Sequence, residues 1–153
     1  MEPEYWRGRI AEQRAVRPFL LLTPRPDLST GTCEVQEVRF QAHDGVRLWG
    51  LMGRCPILRS EQPATLRFVG PCQLPTIDVN SVQQGCTEFV IQTPAGRRLE
   101  DRVLDALRLC QIAADFETVD SAQVDFQGHG RGVQLPDEVR IADRLRARGI
   151  LDG

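Results

Sequence analysis

Hydrophobic residues recur along the chain with two different periods, and these periods divide it into strands and helices. Val38, Phe40 and Ala42 alternate with polar residues, which is the pattern of a strand with one buried face. Trp6 and Ile10 lie one helical turn apart, as on the buried side of an amphipathic helix. The patterns predict strands over Cys33–Ala42, Val46–Met52, Ala64–Val69, Cys86–Gln92 and Ala122–Gln127, and helices over Pro3–Val16, Arg98–Phe116 and Pro136–Arg148.

The strongest helical pattern lies between Arg98 and Phe116. Its apolar stripe consists of Leu99, Val103, Ala106 or Leu107, Cys110 and Ala114. The charged residues Glu100, Asp101, Arg102 and Arg108 lie outside that stripe. We therefore expect the stripe to cover a sheet, with these charges outside it.

Turn residues connect these elements and set the limits of the domain. The residues His43, Asp44 and Gly45 form a turn signal that joins the first two strands into a hairpin. Pro24 and Pro26 enforce an extended segment before the hairpin, because proline fixes its own φ angle. We expect residues 1–32 to form a helix and an extended arm packed over a core of residues 33–153. The stretches Pro56–Pro63 and Gln73–Gln84 read as loops, the second with one helical turn at most.

The order of the elements predicts the fold class. A hairpin is followed by a strand, a strand, a helix, a strand and a helix. Crossover connections of this kind give a mostly parallel sheet covered by helices on its faces, an α/β fold. The 153 residues fit a single domain with a substantial core.

Composition excludes several classes of function. The net charge of −2 gives no reason to expect nucleic acid or an anionic membrane as a partner. The longest apolar run, Phe19 to Leu22, is far too short to cross a bilayer, and the N-terminus does not resemble a signal peptide. Five cysteines without a C-x-x-C pair, and only two histidines, indicate a reduced cytoplasmic protein with no metal or cofactor site.

A glycine-rich turn carries the most specific signal in the sequence. The strand ending at Gln127 runs into Gly128, Gly130 and Gly132, which are spaced two residues apart. This is the shape of a nucleophile elbow, G-x-S-x-G, in which a strained turn between a strand and a helix presents a serine. Gly130 occupies the serine position and has no side chain. We expect the turn to keep its geometry, because glycine adopts positive φ angles at little cost.

Several stretches in the same order resemble one family of enzymes. They are Tyr5-Trp6, residues 38–50 of the hairpin, residues 101–108 of the helix and residues 119–124 before the elbow. In these stretches the chain resembles the α/β-hydrolase superfamily, and more narrowly the N-terminal half of the acetyl xylan esterase and cephalosporin-C deacetylase family. The resemblance implies a truncated α/β-hydrolase-like three-layer sandwich with about five strands in the order 1-2-4-3-5, of which the first strands are antiparallel to the rest.

The same resemblance implies that the catalytic parts are lost. The nucleophile is missing at Gly130, and the oxyanion loop carries Gly70 and Pro71 where the family has His-Gly-Tyr. Proline has no N–H group to donate, although the amide of Arg131 remains. The triad acid and histidine would follow the serine, and the chain ends at Gly153. The expected catalytic residues are therefore none, with a vestigial elbow of Gly128, His129, Gly130, Arg131 and Gly132 and a vestigial oxyanion loop of Gly70 and Pro71.

The functional hypothesis is a non-catalytic, hydrolase-derived protein that acts by binding or self-assembly. The alternative is an acyl-ester hydrolase completed by a partner chain or by unconventional residues, such as Cys72 with His43 or His129. A third interpretation is a gene fragment that still folds. His129 fits a turn residue that faces solvent better than a ligand, because no other ligand residues are nearby in the sequence.

The expected partner is a second copy of the chain. The strand Ala122–Gln127 would be an exposed edge, which invites pairing with another chain. The last helix, Pro136–Arg148, would lack neighbours for its apolar face, formed by Leu135, Val139, Ala142 and Leu145. A two-fold homodimer through this strand, this helix or both would cover these surfaces. The alternative is a monomer whose arm, Trp6 to Leu22, folds over the edge.

Overall fold

A computed structural model describes residues 3–58, 61–128 and 134–152 of the chain. Within these residues there are four helices and six strands. In chain order they are α1 (Pro3–Ala15), β1 (Leu21–Pro24), β2 (Glu34–Gln41), β3 (Arg47–Arg54), β4 (Gln62–Val69), α2 (Val79–Gln83), β5 (Thr87–Gln92), α3 (Leu99–Ala114), β6 (Val119–Phe126) and α4 (Asp137–Ala147). In this part of the chain no helix combines the length and apolar character needed to cross a bilayer.

The strands of the described residues form one sheet in the order β1-β2-β3-β5-β4-β6. The pairs β1–β2, β2–β3 and β3–β5 are antiparallel, whereas β4 pairs in parallel with both β5 and β6. Four strands, β2, β4, β5 and β6, therefore run in the same direction. When β1 is set aside, the remaining five strands follow the predicted order 1-2-4-3-5. The predicted fold class is confirmed.

The described sheet has six strands instead of the expected five or so, and the additional strand is β1. The sequence predicts an extended arm at Leu21–Pro24, whereas the structure pairs this segment with β2, with Leu21 opposite Arg39. The N–H of Arg25 continues the pairing by donating to the carbonyl of Val35 at 2.9 Å. The segment is extended because of its prolines, and an extended chain beside the free edge of β2 satisfies the backbone groups of both.

Two strands begin earlier than predicted. β4 begins at Gln62, inside the predicted loop, because the N–H of Gln62 donates to the carbonyl of Thr118 at 2.9 Å. β6 begins at Val119, and the pairing then shifts from Gln62–Val119 to Ala64–Val124. Residues 120–123 therefore bulge out of the ladder, which no hydrophobic periodicity reveals. The helical turn expected before β5 is α2.

The helices cover the two faces of the sheet unequally. Helices α1, α3 and α4 lie on one face, where the larger core includes Trp6, Phe40, Phe89 and Leu107. The other face carries only the short α2 and a smaller cluster, which consists of Cys33, Val35, Leu51, Cys55 and Val82. The three layers predicted for the fold are present, with one thick and one thin helical layer.

The apolar face of α4 is covered within the chain, so the expectation of an uncovered helix face is wrong. Val139, Ala142 and Leu145 are only 6%, 0% and 3% exposed. Leu135, just before the helix, is half-buried against the same core. The reason is that α4 packs beside α3, which supplies the neighbour that the sequence pattern alone did not assign.

The close approach of β3 and β5 at Gly50 generates a stability prediction. A Cβ atom at Gly50 would overlap the carbonyl oxygen of Val90 and lie 2.8 Å from the Cα of Ile91. Gly50→Ala should therefore lower the free energy of unfolding by about 3 kcal/mol, the upper part of the usual cost of overpacking. Urea denaturation measures this difference.

Gly8→Ala is the matched control for this substitution. Gly8 lies in α1, and a Cβ atom there would meet nothing within 4 Å. The exchange should raise the free energy of unfolding by about 1 kcal/mol, because alanine favours helix more than glycine does. Equal effects of the two substitutions would contradict the close β3–β5 contact.

Candidate functional site

The candidate site lies where the strands of common direction end. Gly70 and Pro71 follow β4, Gly128 follows β6, and the turn that contains His43 follows β2. Ligands of open α/β sheets bind in crevices outside the carboxyl ends of the strands. The structure therefore brings the predicted loops to the edge of the sheet where function is expected.

The predicted elbow lies mostly outside the described residues. His129, Gly130, Arg131 and Gly132 belong to that part. Gly128 has a φ angle of +86°, in the left-handed region that favours glycine. The N–H of the preceding Gln127 donates to the carbonyl of Leu66 at 2.9 Å, which holds the end of β6 against β4 as the turn begins. The elbow geometry itself stays a prediction.

The loop after β4 is closed by its own hydrogen bonds. The N–H of Gly70 donates to Oε1 of Gln73 at 3.2 Å, and the N–H of Gln73 donates back to the carbonyl of Gly70 at 3.1 Å. Pro71 has no N–H group. Nε2 of Gln92 donates to the carbonyls of Pro71 at 3.2 Å and Gln73 at 2.8 Å. Gly70 and Pro71 therefore offer no spare N–H group to an oxyanion.

Cys72 and His43 occupy different parts of this edge. Cys72 is exposed in the loop after β4, whereas His43 follows β2, three strand positions away. At the usual spacing of neighbouring strands this is about 14 Å. Nε2 of His43 lies 2.9 Å from Oδ1 of Asp101, and no hydrogen bond joins His43 to Cys72 among the described residues. The other candidate base, His129, lies outside those residues.

A cluster of charged side chains joins the β2–β3 turn to α3. Arg97 reaches Oδ2 of Asp44 at 2.5 Å and Oδ1 of Asp105 at 2.7 Å. His43 contacts Asp101 beside them. The side chains of Arg97 and Asp105 are only 5% and 3% exposed, so this ion pair is shielded from water. We refer to these five residues as the hairpin–helix cluster.

The apolar stripe of α3 does not reveal this cluster, because charged residues outside the stripe are also buried. Asp101 and Arg108 are only 6% and 4% exposed. The guanidinium of Arg108 donates to the carbonyls of Gln41, Gln13 and Val16. One signal was present in the sequence, since residues 101, 105 and 108 repeat with the helical period and form a charged stripe of their own.

The cluster has the atoms of a cation site but not its charge balance. Ligand atoms of His43, Asp44 and Asp101 lie within 4.8 Å of one another. The carboxylate of Asp44 binds Arg97, however, and Oδ2 of Asp101 lies 3.3 Å from Nε of Arg98. The arginines already supply the positive charge that a metal ion would bring, so the arrangement is that of an internal ion-pair network.

Burial and ion pairing act in opposite directions on these carboxyl groups. Burial raises the pKa of Asp105 from 3.8 to about 6, although Arg97 donates hydrogen bonds to its carboxylate. Burial also disfavours ionisation of Asp101 and Asp44, but hydrogen bonds from His43 and Arg97 outweigh it and lower the pKa of each. One member of the cluster therefore titrates well above the other two acids.

Comparison with known proteins supports the fold alone. No family model and no curated protein matches the sequence. The structure is similar to an acetyl xylan esterase from Paenibacillus sp. R4, with a TM-score of 0.70 and 13% identity over 81% of this chain and 50% of that chain. It is also similar to acetyl xylan esterase 1 from Thermoanaerobacterium sp. JW/SL YS485, with a TM-score of 0.67 and 19% identity over 80% of this chain and 48% of that one. The fold is α/β-hydrolase-like, and the chain spans about half the length of these structures.

The pKa of Asp105 predicts how stability depends on pH. Between pH 3.8 and about 6 the folded chain holds a proton on Asp105 that the unfolded chain releases. The contribution of Asp105 to stability is therefore fully present below about pH 4 and is lost as the pH rises through 6, by up to about 3 kcal/mol. Asp105→Asn should remove this part of the pH dependence, measured by urea unfolding at pH 4 to 7.

Asp137→Asn provides the comparison for this measurement, because the side chain of Asp137 is 66% exposed at the start of α4. It should leave the difference in unfolding free energy between pH 4 and pH 7 unchanged. If Asp105→Asn and Asp137→Asn both showed the same pH dependence of unfolding free energy as the wild type, Asp105 would not titrate differently in the folded state.

Proposed function

We propose that this chain is a non-catalytic protein of the α/β-hydrolase-like fold that acts by binding or self-assembly. The observation that carries the proposal is the closed loop after β4. Its Gly70 N–H is bound to Gln73, and Pro71 has none to give. In this superfamily that loop supplies one of the two N–H groups that stabilise the oxyanion.

The chemistry of acyl transfer explains why this matters. Removing one oxyanion donor costs about 10²- to 10³-fold in turnover, and removing a serine nucleophile costs more. The sequence has Gly130 where the serine would be. His43, the only histidine among the described residues, is engaged with Asp101. Together these features favour a binding role on a hydrolase scaffold.

An acyl-ester hydrolase is the second candidate function. Its support is the likeness of the fold to two acetyl xylan esterases, together with the exposed thiol of Cys72 beside the loop after β4. A partner chain or unconventional residues of this chain would then supply the base and acid. Esterase activity of the purified protein would distinguish this candidate function from the first.

Self-assembly through β6 is the proposed route to a homodimer. β6 lies at the end of the described sheet, and α4 is already covered by α3. Because Leu66 of β4 bonds the N–H of Gln127, the backbone groups of Val124 and Phe126 point away from β4. In the bulge, the N–H of Ala122 is bound to Oδ1 of Asp120 at 3.0 Å. Pairing between copies would therefore use residues 124–126.

The proposed location is a reducing cytoplasm. All five cysteines are free, and Cys33, Cys55 and Cys110 are buried. Burial raises the pKa of the Cys110 thiol to about 12, so it stays protonated and inert. Unbridged cysteines of this kind fit a compartment that keeps thiols reduced.

Purified protein should not hydrolyse a small aryl acetate faster than buffer does. Gly130→Ser should not create activity, because His43, the only histidine among the described residues, is engaged with Asp101 and is not free to activate the hydroxyl. Release of the chromogenic alcohol, followed by absorbance, measures both rates. Turnover that rises in proportion to the protein and disappears in Cys72→Ala would reject the non-catalytic proposal in favour of a cysteine nucleophile.

Light scattering at micromolar concentration should give the mass of two chains. Replacing the exposed Ser121 and Gln123 together by arginine should restore the mass of one chain, because they directly precede residues 124–126 and charged side chains beside an edge hinder its pairing with another chain. Glu4→Arg, on the exposed side of α1, should leave the mass of two chains. If the wild-type protein had the mass of one chain at all concentrations, self-assembly would be rejected and binding would be the only proposed role.

A further inference from the structure

A concave surface on the thinly covered face of the sheet lies apart from the loops considered so far. It has a volume of about 390 Å³. Its walls come from the antiparallel end of the sheet and consist of Arg25, Glu37, Arg39, Arg47, Leu48 and Trp49. A volume of this size holds a small ligand of about one ring.

The strand register explains why guanidinium groups meet here. Arg39 of β2 lies opposite Trp49 of β3 and opposite Leu21 of β1. Arg47 is two residues before Trp49 and therefore points to the same face of the sheet. Arg25 follows β1 directly and bonds the backbone of β2. Three neighbouring strands thus each bring one arginine to the same surface.

The positive charge of this surface is only partly balanced. Glu37 lies 2.6 Å from Nε of Arg39 and 3.8 Å from Arg25, and Arg25 also pairs with Asp27 at 2.9 Å. The side chain of Arg47 forms no ion pair or hydrogen bond among the residues that the structure describes. The two carboxylates offset Arg25 and Arg39, which leaves one guanidinium without a counter-charge.

The indole of Trp49 forms a fixed wall beside these arginines. Its Nε1–H donates to Oε1 of Gln92 at 2.8 Å. The amide of Gln92 is in turn held by the carbonyls of Pro71 and Gln73. Because both ends of this chain of hydrogen bonds are anchored, the ring keeps its position without a ligand, and little entropy is lost when a flat group packs against it.

We propose that this surface binds a small monocarboxylate with a flat ring. The fork of Arg47 matches a carboxylate in two parallel hydrogen bonds, and the ring packs on Trp49. One unbalanced guanidinium suits a single negative charge better than the double charge of a phosphate. The site goes beyond the proposed function, because none of its lining residues belongs to the loop after β4, which only helps to hold Trp49 in place through Gln92. It holds whether or not the chain hydrolyses esters.

Titration with benzoate tests the site. Binding is measured by the change in the side-chain NMR signal of Trp49, and that signal is assigned by its loss in Trp49→Phe. Benzoate should bind with a dissociation constant of about 1 mM, a usual strength for a ligand of this size. Arg47→Gln should weaken binding about tenfold. Glu37→Gln should strengthen it severalfold, because it frees Arg25 and Arg39; a purely structural role of Glu37 would not have this effect.

The controls separate this site from general anion binding. Arg7→Gln removes an exposed arginine of α1 and should change nothing. Benzamide, which lacks the charge, and acetate, which lacks the ring, should each bind at least about tenfold more weakly than benzoate. Inorganic phosphate that binds as tightly as benzoate would overturn the choice of a ringed monocarboxylate. Equal weakening in Arg47→Gln and Arg7→Gln, or no saturation by about 50 mM benzoate, would overturn the site itself.

Discussion

The buried ion pair between Arg97 and Asp105 is the constraint that ties the hairpin to α3, in addition to the strand ladder between β3 and β5. Through Asp44 it connects the hairpin of the antiparallel part of the sheet to α3, the helix that carries the chain from β5 to β6. Both side chains are almost fully buried. Losing the arginine alone would leave a buried carboxylate without a counter-charge, which typically costs about 3–5 kcal/mol. The turn of the hairpin is therefore held against α3 at the edge that carries the candidate site.

Hydrophobic periodicity was sufficient for most elements of this fold and for their order. It depends on apolar residues that share a face, and the stripes of β2 and α3 are of this kind. It could not reveal β1, because Leu21–Pro24 has no alternation to report and forms a strand only because the edge of β2 is free. It also does not reveal that Asp101 and Arg108 are buried, since a pattern of apolar residues does not tell which charged residues have a buried partner.

At the candidate site, too, the sequence predicts features that depend on one residue but not those that depend on residues distant in the chain. That Pro71 lacks an N–H group follows from its identity alone. That the loop is closed could not be foreseen, because Gln92 belongs to a different strand and reaches the carbonyls of Pro71 and Gln73 only after β4 and β5 have paired. The hydrogen bond of Trp49 to Gln92 has the same origin and extends this network from the loop to β3.

Arg108 has a consequence for the order in which the chain folds. Its guanidinium donates to the carbonyls of Gln13 and Val16 at the end of α1, which lie 95 and 92 residues away in the sequence. Contacts of such separation form late, because the entropy of closing a long loop is lost before they are gained. We therefore expect α1 to dock after the sheet and α3 have assembled, and its docking buries Trp6 and Ile10 in the larger core.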